Sequence, residues 1–309
     1  MTTVRLALHA MATRFELILV GEDETLLRSA GEEALREIAS LDRRLSFYSA
    51  TSEVSALNRV AAQKTVAMAP DLFELLTEIQ QLVEISDGTF DPSIGPLMRA
   101  WGFVDGSGMR PEEAVLNQAK AISGFDHVQL DSEFMCVRYD RAGVELDLGA
   151  IGKGYALDQV AKIIADHKIP NALLHGGTST GIAMGRSFDD SPWRIGIQDG
   201  DILLGCVDLE DMAFSISATS GKRFFDGDSE FGHVIDPRSG RPSSGAAVAA
   251  VMSRSATIAD ALSTAALVLA SDAHVVVDSV DGVVVWDAPT ENAVLFSEGV
   301  DFSSVRNLS

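Results

Sequence analysis

Glu145-Leu-Asp-Leu-Gly-Ala-Ile-Gly-Lys-Gly-Tyr-Ala-Leu-Asp158 joins an alternating segment to a glycine-rich turn and then to residues spaced as a helix. The pattern predicts a strand over Val144–Leu148 and a helix from about Gly154 to His167. A strand that feeds a helix through such a turn presents free backbone N–H groups and the positive end of a helix dipole, a ready anion site. Lys153 stands at the turn, where it could meet a phosphate, and Asp147 is an inward candidate on the strand. Dinucleotide and mononucleotide folds also begin this way, but neither Gly-x-Gly-x-x-Gly nor the Walker spacing is present. Rossmann and P-loop folds therefore do not fit. The plainer alternative, a tight turn with a surface lysine, leaves Asp147 unexplained.

The rest of the chain agrees that this is not a doubly wound sheet. Working outward, a strand is expected over Thr13–Val20, helices over Leu26–Leu45 and Pro70–Ile85, and a loop or helical turn over Ser52–Asn58. Strands are expected at His127–Leu130, Phe134–Tyr139 and Ala172–His175. The second half is strand-rich: Trp193–Ile197, Cys206–Leu209, Ala213–Ile216, Ala246–Met252, Val275–Val277 and Gly282–Trp286, interrupted by a helix over Thr257–Leu269. Helices and strands in mixed order, without steady alternation, argue for an α+β fold. No repeat or linker marks a boundary, so one domain over residues 1–309 is expected.

Charge narrows the partners. Asp and Glu total 45 against 24 Lys and Arg, a net charge of −21. Such a surface repels phosphate backbones and anionic lipid, which argues against nucleic acid and membrane surfaces. A phosphate-bearing ligand needs a local positive feature or a metal. The longest apolar runs fall short of a membrane span. No export signal or lipid-bearing cysteine is visible, so a cytoplasmic location is the expectation. Cys136 and Cys206 lie far apart and read as buried thiols rather than a disulfide or zinc site.

Four further segments combine turn residues with reactive polar groups. Gly88-Thr-Phe-Asp-Pro-Ser-Ile-Gly-Pro-Leu97 fixes an irregular backbone around Asp91, either as an Asx turn or as a binding loop. His175-Gly-Gly-Thr-Ser-Thr-Gly181 allows close backbone approach to a ligand or is a plain loop. Ser217-Ala-Thr-Ser-Gly-Lys-Arg223 is a hydroxyl-rich strand end. Gly232-His-Val-Ile-Asp-Pro-Arg-Ser-Gly-Arg241 places His233 and Asp236 three apart before a proline turn, so imidazole and carboxylate could enter one cleft. In the helix Thr257–Leu269, Thr257-x-x-Asp260 fits a capping box and Thr264 could bond back to the Asp260 carbonyl. Alternatively, Asp260 and Thr264 share a face at i and i+4 and could converge on Mg²⁺. No Gly-x-Ser-x-Gly elbow and no His-Glu-x-x-His helix occurs.

Seven segments in order closely resemble the FAD:protein FMN transferase (ApbE) family. They are Met11-Ala-Thr13, Phe47-Tyr-Ser-Ala-Thr-Ser-Glu-Val-Ser-Ala-Leu-Asn58, Gly88-Thr-Phe-Asp-Pro92, Asp147-Leu-Gly-Ala-Ile-Gly-Lys-Gly154, Ser220-Gly221, His233-Val-Ile-Asp-Pro237 and Ala259-Asp-Ala-Leu-Ser-Thr264. The likeness runs from about residue 8 to about residue 290. It implies a largely antiparallel sheet with flanking helices. It also implies a Mg²⁺-dependent enzyme that cleaves the pyrophosphate of FAD, attaches FMN to a Thr or Ser hydroxyl of an acceptor flavoprotein, and releases AMP. Carried over by motif, the metal is held by the Ala150 carbonyl, Asp260 and Thr264. Flavin and adenine contacts fall on Met11, Tyr48, Thr89, Phe90, Asp91, Asp147, Lys153 and Ile235, and His233 is the general base. The chain departs from the family at Ala12, Thr178 and Gly152, where Gly, Asp or Asn, and Ala are usual. An FAD pyrophosphatase and a non-catalytic FAD-binding protein are the competing readings of the same residues.

Overall fold

Alternation of apolar and polar residues makes Thr2–Ala10 and Thr13–Gly21 a hairpin, paired antiparallel from Thr2↔Gly21 to Ala10↔Thr13. Phe15, Leu17 and Leu19 point to one face and are fully buried, as a period of two requires. The computed structural model describes residues 1–227, 229–287, 294–295 and 302–304. After the hairpin comes helix α1, Glu24–Leu45. Next, α2 spans Glu53–Val60, so the Ser52–Asn58 segment is helical, capped by the Ser52 hydroxyl accepting from the Ser55 N–H. Then follow α3 (Pro70–Ile85), α4 (Gly95–Ala100) and α5 (Glu113–Ala121). The last two are α6 (Gly152–Asp166) and α7 (Ala256–Leu269).

The chain divides into two compact units that interleave along the sequence. One comprises Met1–Asp42, Ile151–Ala218 and Ala246–Ser309; the other comprises Arg43–Ala150 and Thr219–Gly245.

The first unit is built on an eight-stranded sheet in which each neighbouring pair is antiparallel. Its order is Thr2–Ala10, Thr13–Gly21, Asn171–Gly176, Thr180–Met184, Met212–Ala218, Val248–Ser253, Gly282–Trp286, Val294–Leu295. One face packs on the strands Trp193–Asp199 and Ile202–Leu209 through Trp193, Ile195, Phe214, Ile216, Met252 and Trp286. The opposite face carries α6 and α7. On Met212–Ala218, Phe214 and Ile216 therefore enter the first layer, while Ser215 and Ser217 face α7.

The second unit holds α2 to α5 and a small sheet in the order Val66–Ala67, Cys136–Tyr139, Val128–Asp131. Its core gathers around Trp101, with Leu97, Met98, Phe103, Leu116 and Ile235. The Trp101 indole N–H donates to the Gly240 carbonyl at 2.9 Å.

Several expectations need correction. Val144–Leu148 is not a strand: its backbone groups find partners elsewhere, leaving one parallel bridge, Ile94↔Glu145. The Leu146 N–H donates to Asn58 Oδ1 at 2.9 Å, the Asp147 N–H donates to the Pro92 carbonyl at 2.7 Å, and Leu148–Ala150 closes a short 3₁₀ turn. Val275–Val277 is not a strand either but part of a 3₁₀ stretch, Ala270–Ser279, that follows α7. Its buried residues, Ala273 and Val276, repeat every three. Together α7 and this stretch form a 24-residue segment, Ala256–Ser279, long and apolar enough by composition to cross a membrane, which the sequence runs did not suggest. Much of it is interior helix, with Asp260 and Ser263 buried among its neighbours. Of the two thiols, both free, Cys206 is buried and Cys136 only half-buried.

Candidate active site

Asp260 of the first unit is met by four donor groups, and its surroundings follow from three elements. It lies one turn into α7 and is 3% exposed. Lys153, in the first turn of α6, sets its ammonium against both carboxylate oxygens, at 3.0 and 3.2 Å. The next residue, Gly154, donates its N–H to Oδ2 at 3.0 Å. From the sheet, the buried hydroxyls of Thr180 and Ser215 donate to Oδ1 at 3.0 and 3.1 Å. Thr180 and Ser215 are register partners on adjacent strands and lie 3.1 Å apart. One turn further along α7, Thr264 bonds weakly back to the Asp260 carbonyl at 3.5 Å and lies 3.3 Å from the Ser217 hydroxyl.

The helix start is not the capping box that Thr257-x-x-Asp260 suggested. The N-cap is Ser255, whose hydroxyl accepts from the Ile258 N–H at 3.3 Å. Asp158, on α6, completes the cap. Its carboxylate accepts from the Ala256 and Thr257 N–H groups, both at 2.9 Å, and from the hydroxyls of Ser255 and Thr257 at 2.8 and 2.6 Å. With these N–H groups served elsewhere, the Asp260 carboxylate is left to turn toward α6 and the sheet. The anion site expected at the start of α6 is thus occupied in part by the protein's own carboxylate. Close approach of the two helices depends on Gly154. A Cβ there would run into the Ala256 carbonyl and come within 2.8 Å of Asp260 Cβ.

Met11 belongs to the same unit, in the two-residue turn of the first hairpin. Met11 and Ala12 both hold positive φ, 48° and 57°, the geometry of a type I′ turn that glycine or asparagine normally occupies. The Met11 N–H donates to Asp42 Oδ1 at 2.9 Å, anchoring the turn to α1.

The remaining expected residues lie in the second unit. Tyr48 is 59% exposed and meets Phe47 edge-on, with ring centroids 5.5 Å apart. Burial pushes the Asp147 carboxyl up from its ordinary value, against the Gly149 N–H at 2.9 Å and the charges of Lys222 and Arg99, which pull it down. Burial, then the charge of Asp147, raises the Tyr48 phenol. Arg99 sits over the Phe47 ring, 5.0 Å from its centroid, and donates from Nε to Glu145 at 2.6 Å. Asp91 is 9% exposed and builds its own loop: Oδ1 accepts from the Ser93 N–H and hydroxyl at 2.8 and 2.6 Å, and Oδ2 from the Phe125 N–H at 2.8 Å. Thr89 is buried and donates to the Ser86 carbonyl at 2.7 Å, and the Phe90 and Ile235 side chains lie in the interior. Ala150 ends the last long segment of this unit before the chain enters α6.

His233 is half-buried. Its Nδ1 lies 3.1 Å from the Lys222 carbonyl, which can only accept. Nδ1 therefore donates a proton to that carbonyl, so the lone pair of a deprotonated ring would fall on Nε2. A Cβ at Gly221 would come within 2.5 Å of the ring's Cε1, so glycine there leaves room for the imidazole.

Sequence reasoning gave no role to Asp158, Ser215, Ser263 or Arg99, and quoted Thr180, Ser217 and Lys222 only as members of polar turn segments. The serines carried a signal: Phe214-Ser-Ile-Ser217 alternates, so one face of a buried strand is hydroxylic. Asp158 carried none, because its partners belong to another helix.

Whether Mg²⁺ suits this cluster can be judged from the donors. A carboxylate and a hydroxyl one turn apart on α7 are hard oxygen donors. The ammonium of Lys153 is a cation already standing against Asp260, so the pocket accepts positive charge there. Among the described residues no group of three or more His, Cys, Asp or Glu forms a metal cluster. One carboxylate with few protein ligands suits Mg²⁺, which keeps water and takes substrate phosphate. The donors fit the ion.

The fold defines the class first. The ApbE protein of Thermotoga maritima superposes with a TM-score of 0.85 at 26% identity, covering 99% of this chain and 98% of that one. This chain belongs to the ApbE family, whose model matches residues 11–283. The FAD:protein FMN transferase of Rhodobacter capsulatus is 33% identical over 224 residues, which is 70% of this chain but 42% of that protein's length. The FAD:protein FMN transferase of Vibrio cholerae is 28% identical over 260 residues, 81% of this chain and 75% of that protein.

Proposed function

We propose that residues 1–309 form one flavin transferase domain that takes FAD as substrate, moves its FMN part onto a Thr or Ser hydroxyl of an acceptor flavoprotein, and releases AMP. The observation that carries the reading is the buried Asp260 carboxylate, fixed by Lys153, Gly154, Thr180 and Ser215 with Thr264 one turn away. Such a cluster is expensive to build for stability alone, since a buried charge must be matched by several donors. The names borne by the relatives support the same reading, and the family match draws on segments of both units.

In this proposal Mg²⁺ is held by the Ala150 carbonyl, the Asp260 carboxylate and the Thr264 hydroxyl. When bound it would supply positive charge against the pyrophosphate, in addition to that of Lys153. Thr180 and Ser215 hold the Asp260 carboxylate in one orientation. Tyr48 offers an exposed ring to the flavin, and Met11, Asp147 and Lys153 contribute polar and main-chain contacts. Thr89, Phe90, Asp91 and Ile235 have inward side chains and serve through the backbone and the loop they shape. His233 Nε2 takes the proton from the acceptor hydroxyl as its oxygen bonds to the FMN phosphorus. The bond from that phosphorus to the bridging oxygen breaks, and AMP leaves with that oxygen.

The test is to incubate the protein with FAD, Mg²⁺ and a Thr-containing acceptor, then measure AMP, free FMN and flavin fluorescence on the denatured acceptor band. Labelled acceptor with equimolar AMP supports the transferase. AMP and free FMN without label would make the protein an FAD pyrophosphatase, and none of these products would leave it an FAD-binding protein.

A further inference from the structure

Resting on the reading of Asp260 as a metal ligand, we infer that Lys153 is an internal counter-ion that holds the metal-free site and must be displaced when a divalent cation binds. The carboxylate has four donor groups around it. Oδ1 meets the Lys153 ammonium at 3.0 Å and the two hydroxyls of Thr180 and Ser215; Oδ2 meets the ammonium at 3.2 Å and the Gly154 N–H. That number of donors fills the directions along which carboxylate oxygens accept, so no position remains for a metal while Lys153 stays. The heavy atoms of three of the four donors are held in place, although the two hydroxyls can rotate. Gly154 is fixed by its helix, and Thr180 and Ser215 are buried in adjacent sheet strands. Lys153 alone can move away, because its side chain is 20% exposed and ends a flexible four-carbon stem.

The arrangement also explains how a carboxylate only 4% exposed is kept, without a metal, in a helix that has no other charged residue. The ammonium neutralises it, and the hydroxyls and N–H hold its orientation. Release of Lys153 then frees both a ligand position and a cation. The freed ammonium, close to the site, becomes available to an anionic substrate group.

Direct titration of the purified full chain with Mn²⁺ alone, followed by electron paramagnetic resonance, reads this without relying on turnover. Lys153→Met removes the competing cation while keeping a long apolar stem. The variant is expected to bind Mn²⁺ about tenfold more tightly than wild type, since the ion no longer displaces a bound charge. Its metal-free form is expected to melt at a lower temperature and to gain more on adding Mn²⁺. Lys153→Arg retains the charge and is expected to bind as weakly as wild type. Equal or weaker Mn²⁺ binding by Lys153→Met, with wild-type binding abolished by Asp260→Asn, would overturn the counter-ion role alone. Binding that survives Asp260→Asn, or is absent in wild type and Lys153→Met alike, would overturn the metal reading and this inference with it.

Discussion

Asp260 and Asp91 are both buried carboxylates, both ringed by donors, and both part of a segment that resembles a family motif, yet they do different work. Asp91 in the second unit is served only by neutral donors, the N–H groups of Ser93 and Phe125 and the Ser93 hydroxyl. The Ser93 groups lie in its own loop, Phe125 opens a 3₁₀ turn elsewhere in the same unit, and burial raises its pKa. Asp260 in the first unit draws on one other helix and two strands and faces an ammonium. One carboxylate ties a loop; the other is held at a charged position by parts of the chain distant in sequence. A motif match does not separate them, and the donors do.

The setting of Asp260 is most sensitive to substitution at Gly154. Gly154→Ala drives a methyl into the Ala256 carbonyl and Asp260 Cβ, neither of which can yield without separating α6 from α7. A loss of about 3 kcal/mol in urea unfolding, or failure to fold, is expected. Asp158→Ala removes four bonds at the start of α7, one turn before Asp260. It should cost about 2 kcal/mol, the upper range for a helix cap, and lower transferase activity through the displaced helix.

Asp91 sharpens the comparison through pH. Its folded pKa lies above the ordinary 3.8, so the protonated form favours folding. That stability is fully present below 3.8 and is lost as pH rises through the folded value. Asp91→Asn lacks the titrating group, so its destabilisation relative to wild type should be greatest near pH 4 and shrink toward pH 7 in paired denaturation curves. The smallest expected effect is that of Ser217→Ala, which removes contacts to Ser263 at 2.9 Å and Thr264 at 3.3 Å. A cost of about 0.5–1 kcal/mol in chemical denaturation is expected, with activity reduced no more than a few-fold because Asp260 keeps its own donors.

Much of the architecture could be read from local pattern. Pro70–Ile85, Gly282–Trp286 and the start of the Thr13 strand match their expected bounds because periodicity and terminal residues agree there. The failures share a cause. Glu145–Asp147 alternates as a strand does, but Asn58 and Pro92 take its backbone bonds, and neither is near in sequence. Thr257 looked like a cap because Ser255 and the distant Asp158 could not be weighed against it. Among the candidate residues, types were legible at Lys153, His233, Asp260 and Thr264. Their partners were not, since Thr180, Ser215 and Asp158 acquire meaning only when strands and helices meet. The tautomer of His233 likewise depends on the Lys222 carbonyl, eleven residues away.

The most direct test compares wild type with Asp260→Asn, a substitution that keeps the side chain's size and one of its two acceptor oxygens. Flavin fluorescence transferred to a Thr-containing acceptor is measured at saturating FAD and Mg²⁺, with circular dichroism confirming that both proteins are folded. Labelling is expected to fall by about 10²-fold or more, as for loss of a charge-stabilising group at a phosphoryl centre. Labelling by the folded variant within twofold of wild type would contradict the role given to Asp260.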